Sequence, residues 1–213
     1  MTRMPNPLTP APAPVVCIVD DDAAVREALD SLFRSVGLNV ATFGSVADFL
    51  ARENASAPGC LVLDVRLPGV NGLDFQAQLA AMDNRLPIVF MTGHGDIPMS
   101  VRAMKAGALD FLSKPFRDQD MLDAVSMAIE RDAAERRDAN AIGALRQAYA
   151  SLTPREREVM HHVTAGLMNK QVGSLLGLSE ITVKIHRGNV MRKMAARSLA
   201  ELVRQAEALA AHS

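Results

Sequence analysis

The feature that most constrains this chain is a repeated alternation of short apolar runs and amphipathic stretches from residue 15 onward. Apolar runs suited to buried strands occupy 15–19, 40–43, 60–63, 88–91 and 108–112. Helical patterns occupy 23–36, 46–53, 72–82, 97–106 and 118–137. Strands that alternate with helices indicate a parallel sheet covered on both faces. The pattern therefore predicts an α/β doubly wound five-stranded parallel sheet over residues 15–130.

The regions on either side of this sheet have a different character. Residues 1–14 hold five of the eleven prolines, which predicts a disordered tail, because proline lacks a backbone donor. Residues 131–150 are charged and alanine-rich without proline, which favours a helical linker. Residues 151–213 contain four helix-start signals, at Thr153, Asn169, Ser179 and Ser198. They predict a small all-α four-helix domain.

The formal net charge of −1 combines two opposite charges. Residues 1–150 hold 14 Lys and Arg against 19 Asp and Glu, a charge of −5. Residues 151–213 hold 9 against 5, a charge of +4. Such asymmetry indicates two regions with different partners.

Several classes of protein are excluded by the rest of the composition. No apolar run approaches the roughly 18 residues of a membrane span, and no signal-peptide pattern is present, so we expect a cytoplasmic protein without membrane contact. Two cysteines cannot form a disulfide framework. Cys17 and Cys60 fall in neighbouring strands, where we expect buried free thiols.

Polar residues follow four of the five predicted strands. They are Asp20, Asp21 and Asp22, then Asp64, then Thr92, and finally Ser113 and Lys114. Because the carboxyl ends of parallel strands meet at one edge, these side chains are expected to converge. Clustered carboxylates repel one another unless a cation neutralises them, and oxygen ligands on loops suit Mg²⁺. Together with a lysine and a hydroxyl, they indicate a phosphoryl-transfer site with Asp64 as nucleophile.

Each of these signals also has a simpler structural interpretation. An Asp pair after a strand is typical of a helix N-cap, Thr-Gly of a turn, and Lys-Pro of a loop. It is the agreement of four strand ends that favours the site.

The segments VDDD (19–22), LDVRLPGVNG (63–72), MTGHGD (91–96) and VRAMKAGALDFLSKPF (101–116) resemble a bacterial response-regulator receiver domain, which has a flavodoxin-like fold. The resemblance implies that Asp64 becomes a 4-aspartylphosphate, with a sensor histidine kinase as donor. It also implies Mg²⁺ held by Asp20, Asp21, Asp64 and the backbone carbonyl of Arg66. Lys114, preceding a cis Pro115, would contact the phosphoryl group.

The same resemblance makes Thr92 and Phe111 a switch pair. Thr92 would move toward the phosphoryl group, Phe111 would rotate inward, and the face formed by 97–106 and the fifth strand would then dimerise. Core packing is the alternative interpretation of Phe111, since it is an aromatic residue within a strand.

Residues 171–194, QVGSLLGLSEITVKIHRGNVMRKM, have the spacing of a helix-turn-helix. Gly173 would allow close helix approach and Gly177 a tight turn, although an ordinary helical hairpin has the same features. At about 100° per residue, one face of the second helix carries Val183, Val190 and Met194. The opposite face carries Ile181, Lys184, Ile185, Gly188 and Arg192. Cations and an exposed isoleucine without an acid fit entry into a DNA major groove.

The segments LTPREREVM (152–160) and AGLMNKQVGSLLGLSEITVKIHRGNVMRKM (165–194) resemble the LuxR/FixJ-type helix-turn-helix domain. The resemblance implies a DNA-binding domain over 151–213, with its helix-turn-helix at about 171–190, that reads promoter half-sites as a dimer. Candidate DNA contacts are Thr182, Lys184, Ile185, Arg187, Gly188, Arg192 and Lys193. Two residues depart from the family pattern: Gly173 replaces the usual alanine, and Gly188 replaces a longer side chain of some relatives.

The two matches, in this order, resemble the FixJ/NarL class of transcriptional response regulators. They imply a transcriptional regulator that binds promoter DNA when it is phosphorylated. By analogy, they also imply an activator that has RNA polymerase as a further partner. We expect the protein to catalyse no reaction other than its own phosphorylation and dephosphorylation. Val65 and Arg66 follow Asp64, so no second acid is present two residues on to act as a general acid. A phosphatase or phosphotransferase, and an adaptor that binds no DNA, are the competing interpretations.

Overall fold

A computed structural model of the protein describes residues 13–52, 57–82, 84–93 and 97–211. Residues 1–12 of the predicted tail lie outside the described residues. The chain divides into two compact units, Met1–Arg136 and Arg137–Ser213.

The first unit is organised around a five-stranded parallel sheet. Its strands are β1 (Val15–Val19), β2 (Asn39–Phe43), β3 (Gly59–Asp64), β6 (Ile88–Thr92) and β7 (Asp110–Ser113), in the order β2-β1-β3-β6-β7. Between β3 and β6, β4 (Arg66–Leu67) and β5 (Val70–Asn71) pair as an antiparallel ribbon, which the sequence did not predict because two-residue strands show no periodicity. β7 begins two residues later than expected, after Gly107 turns the chain at a φ of +94°.

Helices cover both faces of this sheet, as the alternating pattern predicts. They are α1 (Ala23–Ser35), α2 (Val46–Ala51), α3 (Gly72–Ala81), α4 (Ile97–Lys105) and α5 (Asp118–Ala150). One core contains Phe33 of α1 and Met121 of α5, and the other contains Phe49 of α2 and Phe75 of α3. The doubly wound fold is therefore confirmed, and all parallel strands end at one edge.

Cys17 and Cys60 are buried free thiols, as expected from the sequence. They belong to the two different cores and so lie on opposite faces of the sheet, although β1 and β3 are neighbours. Burial raises the pKa of both thiols. Both cysteines therefore contribute to packing.

The second unit contains the last part of α5 and four further helices. These are α6 (Pro154–Thr164), α7 (Asn169–Leu176), α8 (Glu180–Lys193) and α9 (Leu199–Ala211). Thr153 and Glu156 form a capping box at the start of α6, while Ser179 and Ser198 accept hydrogen bonds at the starts of α8 and α9. Within the described part of the chain, no helix is both long and apolar enough to cross a membrane.

Candidate functional site

Three carboxylates converge at the carboxyl edge of the sheet. Asp20 directly follows β1, Asp21 comes next, and Asp64 is the last residue of β3. Their candidate ligand oxygens lie within 4.8 Å of one another. Asp20 and Asp64 are buried and Asp21 is exposed, so the cluster opens to solvent on one side. An all-oxygen donor set with excess negative charge suits a hard divalent cation such as Mg²⁺.

Asp22 has a different role from the other two aspartates of the VDDD segment. Its side chain accepts a hydrogen bond from the Ala24 N–H at 2.8 Å and caps α1. The simpler N-cap interpretation of an aspartate after a strand thus applies to Asp22, and it leaves three carboxylates in the cluster.

Lys114 joins two of these carboxylates from the end of β7. Its ammonium donates to Asp20 Oδ2 at 2.7 Å and to Asp64 Oδ2 at 3.0 Å. Burial acts to lower the pKa of Lys114, but the hydrogen bonds and charges of the two aspartates raise it above its ordinary value. Burial raises the pKa of Asp20, and the hydrogen bond from Lys114 offsets part of this increase. The Lys114–Pro115 peptide bond is cis, as the sequence resemblance implies.

The turn that follows Asp64 donates a hydrogen bond to the second carboxylate oxygen of that residue, Oδ1. The Arg66 N–H donates to Asp64 Oδ1 at 3.1 Å, and the Arg66 side chain is exposed. A Cβ at Gly72 would lie 2.8 Å from the Asp64 carbonyl oxygen, so only glycine fits here without a backbone shift. The β4–β5 ribbon lies between Asp64 and Gly72 and forms this turn.

Thr92 and Phe111 lie on β6 and β7, the next two strands after β3 in the sheet. Thr92 ends β6 and is buried, and its carbonyl accepts a hydrogen bond from the Lys114 N–H at 2.7 Å. Phe111 is half-buried on β7, with its ring centroid 6.2 Å from that of Phe90. The structure brings Thr92 to the same edge as the acidic cluster and packs Phe111 against the core.

Arg26 also contacts this edge, although no sequence motif singles it out. It lies on α1, and its Nη1 donates to the Asp20 carbonyl oxygen at 2.7 Å. The bond ties α1 to the turn that carries Asp20 and Asp21. The acceptor is a backbone carbonyl oxygen, so no sequence signal marks this contact.

In the second unit, α8 has the two faces that its sequence predicts. Val183, Val190 and Met194 are buried, whereas Ile181 is 74% and Ile185 60% exposed. Lys184, Gly188 and Arg192 are exposed as well. The outward face therefore combines positive charge with apolar groups that the described residues of the unit leave exposed.

The remaining candidate DNA contacts have hydrogen bonds within the unit. Arg187 donates to Asn169 Oδ1 at 3.2 Å, Arg192 to Asn189 Oδ1 at 3.2 Å, and Thr182 shares a hydrogen bond with Ser179 at the start of α8. Arg192 remains exposed and Arg187 half-exposed, so both cations still reach solvent.

Lys193, a candidate phosphate contact, forms an ion pair within the second unit. Its ammonium lies 2.6 Å from Glu156 Oε2 and 3.1 Å from the Ser151 carbonyl oxygen. The side chain of Glu156 is only 5% exposed, so the pair joins the start of α6 to the end of α8. The charge of Lys193 is therefore balanced within the unit by Glu156.

The turn between α7 and α8 shows why two glycines occur there. Gly177 ends α7 with a φ of +64°, in the left-handed region that glycine adopts without strain. A Cβ at Gly173 would lie 2.7 Å from the Leu178 carbonyl oxygen. Both glycines therefore allow the sharp turn and close approach that a helix-turn-helix needs.

A doubly wound domain with this acidic edge, followed by a helix-turn-helix unit, defines the DNA-binding response regulators of bacterial two-component systems. The response regulator receiver domain model matches residues 16–126, and the model of bacterial regulatory proteins of the luxR family matches residues 150–206. The chain belongs to this family and is a phosphorylation-dependent transcriptional regulator.

Three relatives illustrate the match over most of the chain. Nodulation protein W of Bradyrhizobium diazoefficiens is 56% identical, covering 92% of this chain and 86% of the relative. The transcriptional regulatory protein FixJ of Azorhizobium caulinodans is 44% identical, covering 90% of each. The solved structure of the response regulator StyR is 49% identical, with a TM-score of 0.86, and the match covers 92% of this chain and 98% of StyR.

Proposed function

We propose that Asp64 is the phosphoacceptor of this regulator. Its oxygen attacks the phosphorus of a phosphohistidine on a sensor kinase; the new O–P bond forms as the N–P bond breaks, and the imidazole leaves. The observation that carries the proposal is the Lys114 ammonium, 3.0 Å from Asp64 Oδ2 and 2.7 Å from Asp20 Oδ2. A cation at this distance can balance the charge that the phosphoryl group brings.

The residues around Asp64 have distinct roles in this proposal. Asp20, Asp21, Asp64 and the Arg66 carbonyl would hold Mg²⁺, which supplies charge neutralisation for the phosphoryl oxygens when bound. Arg66 orients Asp64 through its N–H, and Arg26 holds the turn that carries Asp20. The same arrangement would assist hydrolysis of the acyl phosphate, which returns the protein to its resting state.

Thr92 and Phe111 would transmit phosphorylation to a dimer face. The Thr92 hydroxyl would bind a phosphoryl oxygen, and rotation of Phe111 would alter the face of α4 and β7. Three apolar side chains of α4 are exposed, with Ile97 at 80%, Val101 at 43% and Met104 at 46%. These side chains supply apolar area for dimerisation.

DNA recognition would use the outward face of α8. Ile185 would contact thymine methyl groups, and Lys184, Arg187 and Arg192 would contact phosphates or base edges. In this proposal, residues 15–130 form the domain that receives the phosphoryl group. Residues 131–150 connect it to residues 151–213, which bind promoter half-sites. Contact with RNA polymerase would follow if the protein activates transcription.

A comparison of wild type with Asp64→Asn tests the phosphoacceptor. With acetyl phosphate and Mg²⁺, intact-mass measurement should show one phosphoryl group on wild type and none on Asp64→Asn. Asp74→Asn, which changes an exposed carboxylate on α3, is the matched control and should accept the group normally. Equal phosphorylation of Asp64→Asn would refute the assignment. Genome-wide footprinting with the same variants then reports the promoters and their dependence on Asp64.

A further inference from the structure

Arg187 lies at the edge of the outward face of α8. It follows the exposed Lys184 by three residues and the buried Val183 by four, and residues at these spacings are neighbours on a helix. Arg187 itself is half-exposed, so it lies where the outward face of α8 meets the buried face. When a helix enters the major groove, the phosphate backbones run along its two sides. A cation at this position is therefore placed to contact a phosphate rather than a base.

Asn169 holds the guanidinium group of Arg187 from the neighbouring helix. Asn169 is the first residue of α7, and Arg187 Nη1 donates to its Oδ1 at 3.2 Å. The two residues are 18 apart in sequence, and their hydrogen bond joins the two helices of the helix-turn-helix. The bond restricts the directions in which the long side chain of Arg187 can point.

The partner that holds Arg187 is a neutral amide. Two other cations of this unit are paired with acids instead: Lys193 lies 2.6 Å from Glu156, and Arg155 lies 2.6 Å from Glu158. An amide oxygen accepts a hydrogen bond without carrying a full negative charge, and the bond occupies only one of the several N–H groups of a guanidinium. Arg187 therefore keeps its positive charge and further donors for an external anion such as a phosphate.

We propose that Asn169 is a positioning residue for DNA binding, which orients Arg187 toward a phosphate of the DNA backbone. The inference rests on the proposed use of the outward face of α8 in DNA recognition. A side chain that is already oriented loses less conformational freedom when it binds, so the contact with the phosphate forms at a smaller entropic cost. Asn169 thus strengthens DNA binding through Arg187 and reads no base itself.

A double-substitution cycle tests whether Asn169 acts through Arg187. Fluorescence anisotropy of a fluorescein-labelled DNA duplex of mixed sequence measures binding of the full-length protein over a salt series, with acetyl phosphate and Mg²⁺ present. Asn169→Ala should raise the dissociation constant about fivefold, equivalent to about 1 kcal/mol. Arg187→Gln should raise it further and reduce the slope of log affinity against log salt concentration by about 1. The double variant should bind as weakly as Arg187→Gln alone.

Asn169→Asp separates orientation of Arg187 from a purely structural role. Aspartate keeps an acceptor for Arg187 Nη1 but adds a negative charge that balances the guanidinium group. Urea unfolding followed by the fluorescence of Tyr149, the single tyrosine, should show a stability no lower than that of wild type, yet the dissociation constant for DNA should rise at least about tenfold. This variant also provides the test if Asn169→Ala loses its helical circular dichroism. Asn140→Ala, the same change at an exposed position on α5, should alter neither stability nor affinity.

The possible results distinguish this inference from the proposed DNA-binding role of α8. The inference is wrong if Asn169→Ala binds DNA as wild type does, if the effect of Asn169→Ala is undiminished in the Arg187→Gln background, or if Asn169→Asp retains wild-type affinity. The DNA-binding role of α8 survives these results as long as the affinity of wild type falls with salt. If wild type shows no salt-dependent binding, both the DNA-binding proposal and this inference are overturned.

Discussion

The Lys114 ammonium donates to Asp64 Oδ2 at 3.0 Å although fifty residues separate the two in sequence. The contact exists because β3 and β7 lie on either side of β6 and all three strands end at the same edge. This contact joins the candidate phosphoacceptor, Asp64, to the ammonium group of Lys114.

Lys114→Gln should slow phosphorylation of the protein by acetyl phosphate at least about 100-fold, because the transferring group loses its cationic partner. The rate can be followed by intact-mass measurement over time. Lys105→Gln, an exposed lysine on α4, should retain the wild-type rate. A Lys114→Gln rate within twofold of wild type would contradict the role of Lys114.

Asp132→Ala should destabilise the receiver unit by about 1–3 kcal/mol, since it leaves a buried backbone donor unpaired. Asp132 Oδ2 accepts hydrogen bonds from the Gly59 N–H at 2.8 Å and from Arg136 Nε at 2.7 Å, and the residue is 4% exposed. Urea unfolding followed by circular dichroism measures the change. Asp138→Ala, an exposed position on the same helix, should change stability by less than about 0.5 kcal/mol.

The C-terminal unit should become less stable in acid, because Glu156 then loses its charge. Its hydrogen bond with Lys193 holds the pKa of Glu156 below its ordinary value. A carboxyl with a depressed folded-state pKa stabilises the fold above its unfolded-state pKa, near 4.3 for glutamate, and this stabilisation is lost as pH falls through the folded-state value. Glu156→Gln should therefore be less stable than wild type at pH 7, and the difference should shrink below about pH 4.

Tyr149 fluorescence during urea unfolding measures this effect in the second unit, since that unit holds the single tyrosine. Glu158→Gln removes an exposed glutamate from the same helix and is the control. A stability difference between wild type and Glu156→Gln that stays constant from pH 7 to pH 3 would show that the ion pair does not stabilise the unit.

Lys184→Gln should weaken promoter binding and reduce the slope of log affinity against log salt concentration by about 1, the effect of losing one phosphate contact. Ile185→Ala removes an apolar contact from the same face and should change the preference between promoter sequences without altering the slope. Fluorescence anisotropy over a salt series measures both effects. An unchanged slope for Lys184→Gln would remove this residue from the phosphate contacts.

The fold followed from the sequence because burial imposes a local period on each element. The apolar run at 15–19 predicted β1 residue for residue, and Thr153 predicted the start of α6. The two faces of α8 followed from the same reasoning, since a helical period places Val183 and Val190 together. Chain order then determined that all strand ends share one edge.

Side-chain partners distant in sequence required the tertiary structure. Asp20 and Asp22 are equivalent in the sequence pattern, yet one joins the acidic cluster and the other caps α1. Lys193 has the sequence character of a phosphate contact, but it turns inward to Glu156, 37 residues away. The sequence determined which residues face the core, because that depends on neighbours along the chain. Only the fold decided which charges meet, because pairing depends on distances that the sequence order does not encode.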